Sequence, residues 1–261
     1  MLFPSRFFQL FFFFSKSLIE MGELEQALKE KLVKYSESEF HYIDTKDIKE
    51  AANIDHECTG IYMESTVVYL EIKNVPYILK EHGRRKAAQA YTMLHTILAA
   101  VADIDGGFVN CFSPNAFLIV FPGKEESIKK AVMCAMRISY ALSDAFKHQF
   151  NIVQGMEFAM GVDHGHIMGT KNFSDSNYDH LSWFGSCIYK AMCICNECAR
   201  PFYIGVSGSI FHNLEENLRI AERRILGIKK KVEIWTKVSY KYDNVKKHLF
   251  QTNHKISLDE A

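Results

Sequence analysis

Two apolar runs, at 108–112 and 116–121, lie on either side of a short polar break. Ser113, Pro114, Asn115 and Ala116 make the break, with Pro presetting φ at the second turn position and Asn tolerating unusual φ at the third. The pattern predicts a β-hairpin. Helical spacing flanks it on both sides. Ala87, Ala90, Leu94, Ile97 and Val101 recur at three- and four-residue steps within 75–103, and Ile128, Val132, Ala135, Ile138, Leu142 and Phe146 do so within 125–147. Gly83 is a candidate interruption of the first helix, and Asp103, Asp105, Gly106 and Gly107 end it.

The stretch 65–73 (STVVYLEIK) is nearly continuous in apolar and β-branched character, which predicts a central strand with the Glu71 carboxylate at its end. Before it, 22–35 has helical spacing at Leu24, Ala27, Leu28 and Leu32 with Glu–Lys pairs outside, and 44–58 reads as irregular. After the hairpin and second helix come a strand at 156–162 and a turn within 165–169 that starts another strand. A polar loop at 171–179 follows, then a helix at 186–199 rich in small residues and Cys. A short strand at 202–206 leads to Ser207 as N-cap of a helical turn at 208–214. The segment 231–237 is a last strand, and from Tyr240 the chain reads as a polar tail. The order is α+β, with helices packed on a mainly antiparallel sheet in a ferredoxin-like plan with additions.

Lys plus Arg and Asp plus Glu are 31 each, and no basic stripe argues for nucleic acid. The seven Cys are odd in number and sit in apolar patterns, which suits reduced thiols in a cytoplasmic protein. Phe7, Phe8 and 11–14 form an apolar block too short to span a membrane and without a small-residue cleavage site. Residues 1–21 read as a leader, disordered or upstream of a translation start at Met21, with a membrane-surface anchor as the alternative. No membrane association is expected of the rest. The division expected is 1–21 leader, 22–59 helix and linker, 60–237 main domain, 238–261 polar tail.

Four pieces stand in an informative order: VVYLEIKN, GGFVNCFSPNAFLIVF, GVDHGHI, and WFGSCIYKAMCICNECARP running into FYIGVS. Together they make 60–237 resemble the catalytic domain of class III nucleotidyl cyclases, the adenylate and guanylate cyclases. The resemblance implies two metal-binding Asp positions, which here are Glu71 and Asn115. One negative charge would then face hard cations that prefer carboxylate, and Mg²⁺ or Mn²⁺ binding is expected to be weak or lost. The family's Asn and Arg, four apart on one helix face, correspond to Tyr189 and Cys193. Neither supplies a guanidinium for the transferring phosphoryl group. The base-reading Lys corresponds to Cys111, and its usual partner falls near Ser182.

Other candidates have plain readings. Cys193, Cys195 and Cys198 lack a second paired set and read as helix packing. His164, His166, Asp175, Asp179 and His180 have no defined ligand spacing and read as a solvated region. Arg84, Arg85 and Lys86 read as a solvated helix face. The function implied is a catalytically degenerate cyclase-homology domain, dimerising with itself or with another cyclase-like chain, as a regulatory or ligand-sensing module in nucleotide signalling. The alternatives are an active, divergent cyclase using Mg²⁺ or Mn²⁺ on a nucleoside triphosphate, and a ferredoxin-like interaction module with no nucleotide role.

Overall fold

The computed structural model describes residues 24–45, 59–113, 115–146, 155–171, 181–198, 203–225 and 228–259. The leader, Cys58, Pro114, and the loop carrying Asp175, Asp179 and His180 lie outside them. The elements are helix α1 (24–37), β1 (His41–Asp44), β2 (Thr59–Ile72), α2 (Val75–Ile104), β3 (Phe108–Ser113), β4 (Ala116–Pro122) and α3 (Glu125–Tyr140), which runs into a π-helical turn Ala141–Ala145. Then come β5 (Phe158–Lys171), β6 (Leu181–Phe184), α4 (Ser186–Glu197), β7 (Ile204–Ser207), α5 (Gly208–Asn213), α6 (Glu216–Arg219), β8 (Ile220–Ile225), β9 (Ile228–Glu233), β10 (Thr236–Tyr242) and β11 (Val245–Thr252).

The main sheet runs β10-β11-β7-β5-β2-β4-β3, with β1 on β2 and β6 on β5. The run β5-β2-β4-β3 is wholly antiparallel, and α2 and α3 link its strands, which is the ferredoxin-like plan. Among the described residues only β1–β2 and β5–β7 pair in parallel. Alternation splits β2 cleanly. Val68, Leu70 and Ile72 join one apolar cluster with Leu94, Leu98 and Val101 of α2 and Val132, Ala135 and Ile138 of α3. Val67 and Tyr69 join the opposite cluster with Ile188, Ala191 and Ile194 of α4. Both faces of β2 are therefore covered, as its continuous apolar pattern requires.

Two glycines set critical geometry. Gly83 takes φ 74° and ψ 165° inside α2 and kinks it, which an L side chain resists. Gly161 lets α4 lie directly on β5: a Cβ there would stand 1.9 Å from the carbonyl oxygen of Ala191. Ser207 caps α5 by accepting from the Ile210 amide at 3.3 Å.

Several boundaries differ from the sequence reading. The turn expected within 165–169 is absent: β5 is one strand of 14 residues because Gly165 and Gly169 both pair in register with β2. The expected last strand at 231–237 breaks at Ile234 and Trp235, whose buried side chains leave the strand direction to join the core. The polar tail from 238 is a correction of substance. Residues 236–252 form β10 and β11, and β11 inserts between β10 and β7. Its alternation hides Leu249 in one core and Phe250 in the other, beneath exposed lysines that made the stretch look solvated. The sheet thus reaches from β1 at 41 to β11 at 252, beyond the expected 60–237.

Candidate functional site

The register of β2 against β4 sets Glu71 opposite Ala116, and against β5 opposite Ala159. Asn115 occupies the turn between β3 and β4, and its carbonyl accepts from the Ile72 amide at 2.8 Å. The chain therefore brings Glu71 and Asn115 together. Asn115 Nδ2 donates to Glu71 Oε1 at 3.2 Å, while its amide oxygen accepts from Ser113 Oγ at 3.0 Å. The end of the amide that can ligate a cation thus faces away from the carboxylate.

The second carboxylate oxygen is also engaged. Lys73 follows Glu71 by two residues, in the turn just after β2. Its ammonium donates to Glu71 Oε2 at 2.7 Å and to Asn196 Oδ1 of α4 at 2.8 Å. A fixed cation already neutralises the Glu71 carboxylate. The Cys195 thiol beneath donates to the Ala159 carbonyl at 3.3 Å, and burial pushes it up to about 12, partly offset by the Lys73 charge. Tyr69, on the same face, is likewise held at about 12 by burial and then by Glu71.

These residues do not fit a pair of divalent cations. Mg²⁺ and Mn²⁺ favour anionic oxygen ligands. Here one carboxylate is engaged at both oxygens, by an amide N–H and an ammonium, and the second position offers no charge. Among the described residues no three His, Cys, Asp or Glu side chains are gathered to hold a metal ion.

Tyr189 and Cys193 lie four apart on α4 and so share a helix face. Tyr189 is 52% exposed and Cys193 partly buried. The helix sits on β5, β2 and β7 through its other side, with Cys187, Ile188, Ala191 and Ile194 buried. Between the two outward positions Lys190 reaches back, 3.7 Å from Asp163 Oδ2. Asp163 is 1% exposed in the GVDHG stretch, and burial raises its pKa against the opposing effects of Ser207 and Lys190. Cys111 pairs with Phe117 just before an irregularity in the β3–β4 ladder, and Ser182 pairs with Thr170 on β5. Asn110 Nδ2 donates to the Leu181 carbonyl at 3.2 Å, joining the strands that carry them.

Sequence reasoning missed Lys73 and Asn196. The position of Lys73, two residues after Glu71 at the end of a strand-like run, is a signal that could have found it. Asn196 comes from a helix 123 residues later, and no local pattern points to it.

No family model and no curated protein matches the chain. Solved structures do. The guanylyl cyclase Cya2 superposes with a TM-score of 0.59 at 13% identity, over 75% of this chain and 94% of that one. The adenylyl cyclase CyaB from P. aeruginosa gives 0.59 at 14%, over 74% and 95%. The non-canonical dimeric guanylyl cyclase domain of the RhoGC fusion protein from the aquatic fungus Blastocladiella emersonii gives 0.55 at 14%, over 74% and 96%. The chain has the fold of the adenylyl and guanylyl cyclase catalytic domains, and at this level of identity the fold is what they share. It is a divergent example, carrying Glu71, Asn115, Tyr189 and Cys193 at the four positions discussed above.

Proposed function

We propose that this chain is a catalytically degenerate cyclase-homology domain, pairing with itself or with another cyclase-like chain and acting as a regulatory or ligand-sensing partner in nucleotide signalling. The observation that carries this reading is that both oxygens of Glu71 are engaged, by Asn115 Nδ2 and by the Lys73 ammonium. A carboxylate so engaged is poorly placed to hold the cations that clamp a triphosphate and activate a ribose hydroxyl. The half-exposed Tyr189 on α4 is a flat, amphipathic side chain suited to contact with a partner or ligand. Pairing is supported by the dimeric RhoGC domain among the structural neighbours. A cytoplasmic location is supported by the five free cysteines among the described residues, since a reducing compartment keeps thiols unpaired.

The test is product formation. The purified chain, shown folded by its thermal melt, is incubated with ATP, GTP, CTP or UTP and Mn²⁺, and cyclic monophosphates are sought by mass spectrometry. No product, together with a dimer in light scattering, is the expected result. A cyclic product that vanishes in Glu71→Ala overturns the reading in favour of a divergent enzyme. A strict monomer with no thermal shift from any nucleotide favours an interaction module without a nucleotide role.

A further inference from the structure

We propose that the β10–β11 hairpin docks tip-first on an anionic phospholipid bilayer, with the β8–β9 hairpin supplying further cations. The inference is independent of the reading of Glu71. The chain has 31 Lys and Arg and 31 Asp and Glu, yet residues 220–250 hold nine of those cations and three of those acids. This block is the two hairpins. Acids elsewhere cancel it in the total, so no basic stripe is visible in the composition.

Both hairpins follow one plan. In β10–β11 the last rung of the ladder pairs Tyr242 with Val245, and the rung behind it pairs Lys241 with Lys246. In β8–β9 the last rung pairs Ile225 with Ile228, and the two behind it pair Arg224 with Lys229 and Arg223 with Lys230. Like charges directly opposite one another destabilise a ribbon. Here such rungs stand next to an apolar one in both hairpins.

Lys229 and Lys231 have Glu222 and Glu216 as ion-pair partners. Among the described residues Lys241 and Lys246 have no carboxylate partner. Lysine on an edge strand blocks unwanted strand pairing, which explains Lys237 and Lys241 on β10. It does not explain Lys246 and Lys247 on the inner strand β11, or Val245, 55% exposed at the tip.

The tip favours a bilayer over other polyanions. Asp243 and Asn244, at φ 51° and 59°, make a tight two-residue turn, so Tyr242 and Val245 are the outermost pair. Lys241 and Lys246 lie on one face of the ribbon. Alternation puts Lys247 on the other, its ammonium 4.9 Å from the centroid of the Tyr242 ring. Cations thus flank an apolar tip on both faces. Lipid phosphates meet the cations while Val245 and the Tyr242 ring reach the boundary of the acyl chains. A nucleic acid or an acidic protein would pair with the cations but give Val245 no apolar layer to enter.

The test is co-sedimentation of the full chain with vesicles of phosphatidylcholine, with and without phosphatidylserine. Binding to the phosphatidylserine vesicles is expected to be at least about tenfold tighter, and to weaken as salt is raised. The double variant Lys241→Gln, Lys246→Gln should weaken it by about tenfold or more. Val245→Ser should weaken it with its salt dependence unchanged. Asp243→Asn removes the one acid at the tip, keeps a residue suited to positive φ, and should strengthen it. All four positions are exposed, so the thermal melt of each variant should match that of the parent. The proposal is overturned by no binding to phosphatidylserine vesicles, by binding unchanged in the lysine variant, or by Val245→Ser binding as well as the parent. A DNA duplex bound as tightly as the vesicles also overturns it, marking a general polyanion surface.

Discussion

The Lys73 ammonium, just past the end of β2, lies 2.7 Å from Glu71 Oε2 two residues earlier. This tethered cation occupies one oxygen of the Glu71 carboxylate, and Asn115 Nδ2 occupies the other. The pair is 25% and 22% exposed, so its effect on ion binding is larger than that of a fully solvated surface pair.

Removing that cation and restoring the second acid should open the site to metal. The double variant Lys73→Met, Asn115→Asp is expected to bind Mn²⁺ at least about tenfold more tightly than the parent chain, about 1.4 kcal/mol. Paramagnetic titration of Mn²⁺ reads this directly. Equal affinity in both proteins would mean that Lys73 does not control the site.

Packing at Gly161 predicts a severe substitution. A methyl there meets the backbone of α4 at Ala191 and Cys195, and backbone cannot rotate away. Gly161→Ala should cost several kcal/mol, above the range of about 1–3 kcal/mol for ordinary overpacking. Denaturant unfolding measures it, and a loss under 1 kcal/mol would show that α4 lifts off β5 easily.

Asp105 and Arg137 form an ion pair at 2.5 Å with side chains 9% and 4% exposed, linking the end of α2 to α3. Arg137→Met strands a buried carboxylate and should cost about 3–5 kcal/mol. The double change Arg137→Met, Asp105→Leu should recover most of that loss, because it removes both charges. A double mutant no more stable than the single one would show that packing, not charge, is what Arg137 supplies.

Burial raises the Asp163 pKa above the ordinary carboxylate value near 3.9. Between the unfolded and folded values the native state then holds more protons than the unfolded state, so stability falls as pH rises through that window. The contribution is fully present below the unfolded value and lost above the folded one. Asp163→Asn should therefore gain stability relative to the parent as pH is raised from 4 to 7, read by urea unfolding at each pH. A difference that is flat with pH would contradict the raised value.

The thiols give an independent check on burial. Cys187, Cys195 and Cys198 are pushed up to about 12, and Cys193 is the partly exposed one on α4. At pH 8 a maleimide should label Cys193 far faster than those three, since the thiolate is the nucleophile. Mass mapping that finds them modified at matched rates would show that α4 opens readily.

The sequence by itself determined the hairpin at 106–123, the two flanking helices, the kink at Gly83 and the cap at Ser207, because each follows from local periodicity or turn chemistry. The order of those elements was enough to suggest the cyclase fold and to mark Glu71 and Asn115 as a pair. Only the tertiary structure decided what the pair does. Lys73 and Ser113 stand two residues from Glu71 and Asn115, but Asn196 reaches Lys73 from a helix 123 residues later, and the Asn115–Glu71 contact joins positions 44 residues apart; the hydrogen-bond polarity depends on that meeting. The same holds for β10 and β11, whose alternating lysines conceal Leu249 and Phe250 until β7 supplies an edge to pair with. It holds too for His164, which read as a solvated residue until the ladder with β2 set Thr66 on one ring nitrogen and Glu64 on the other.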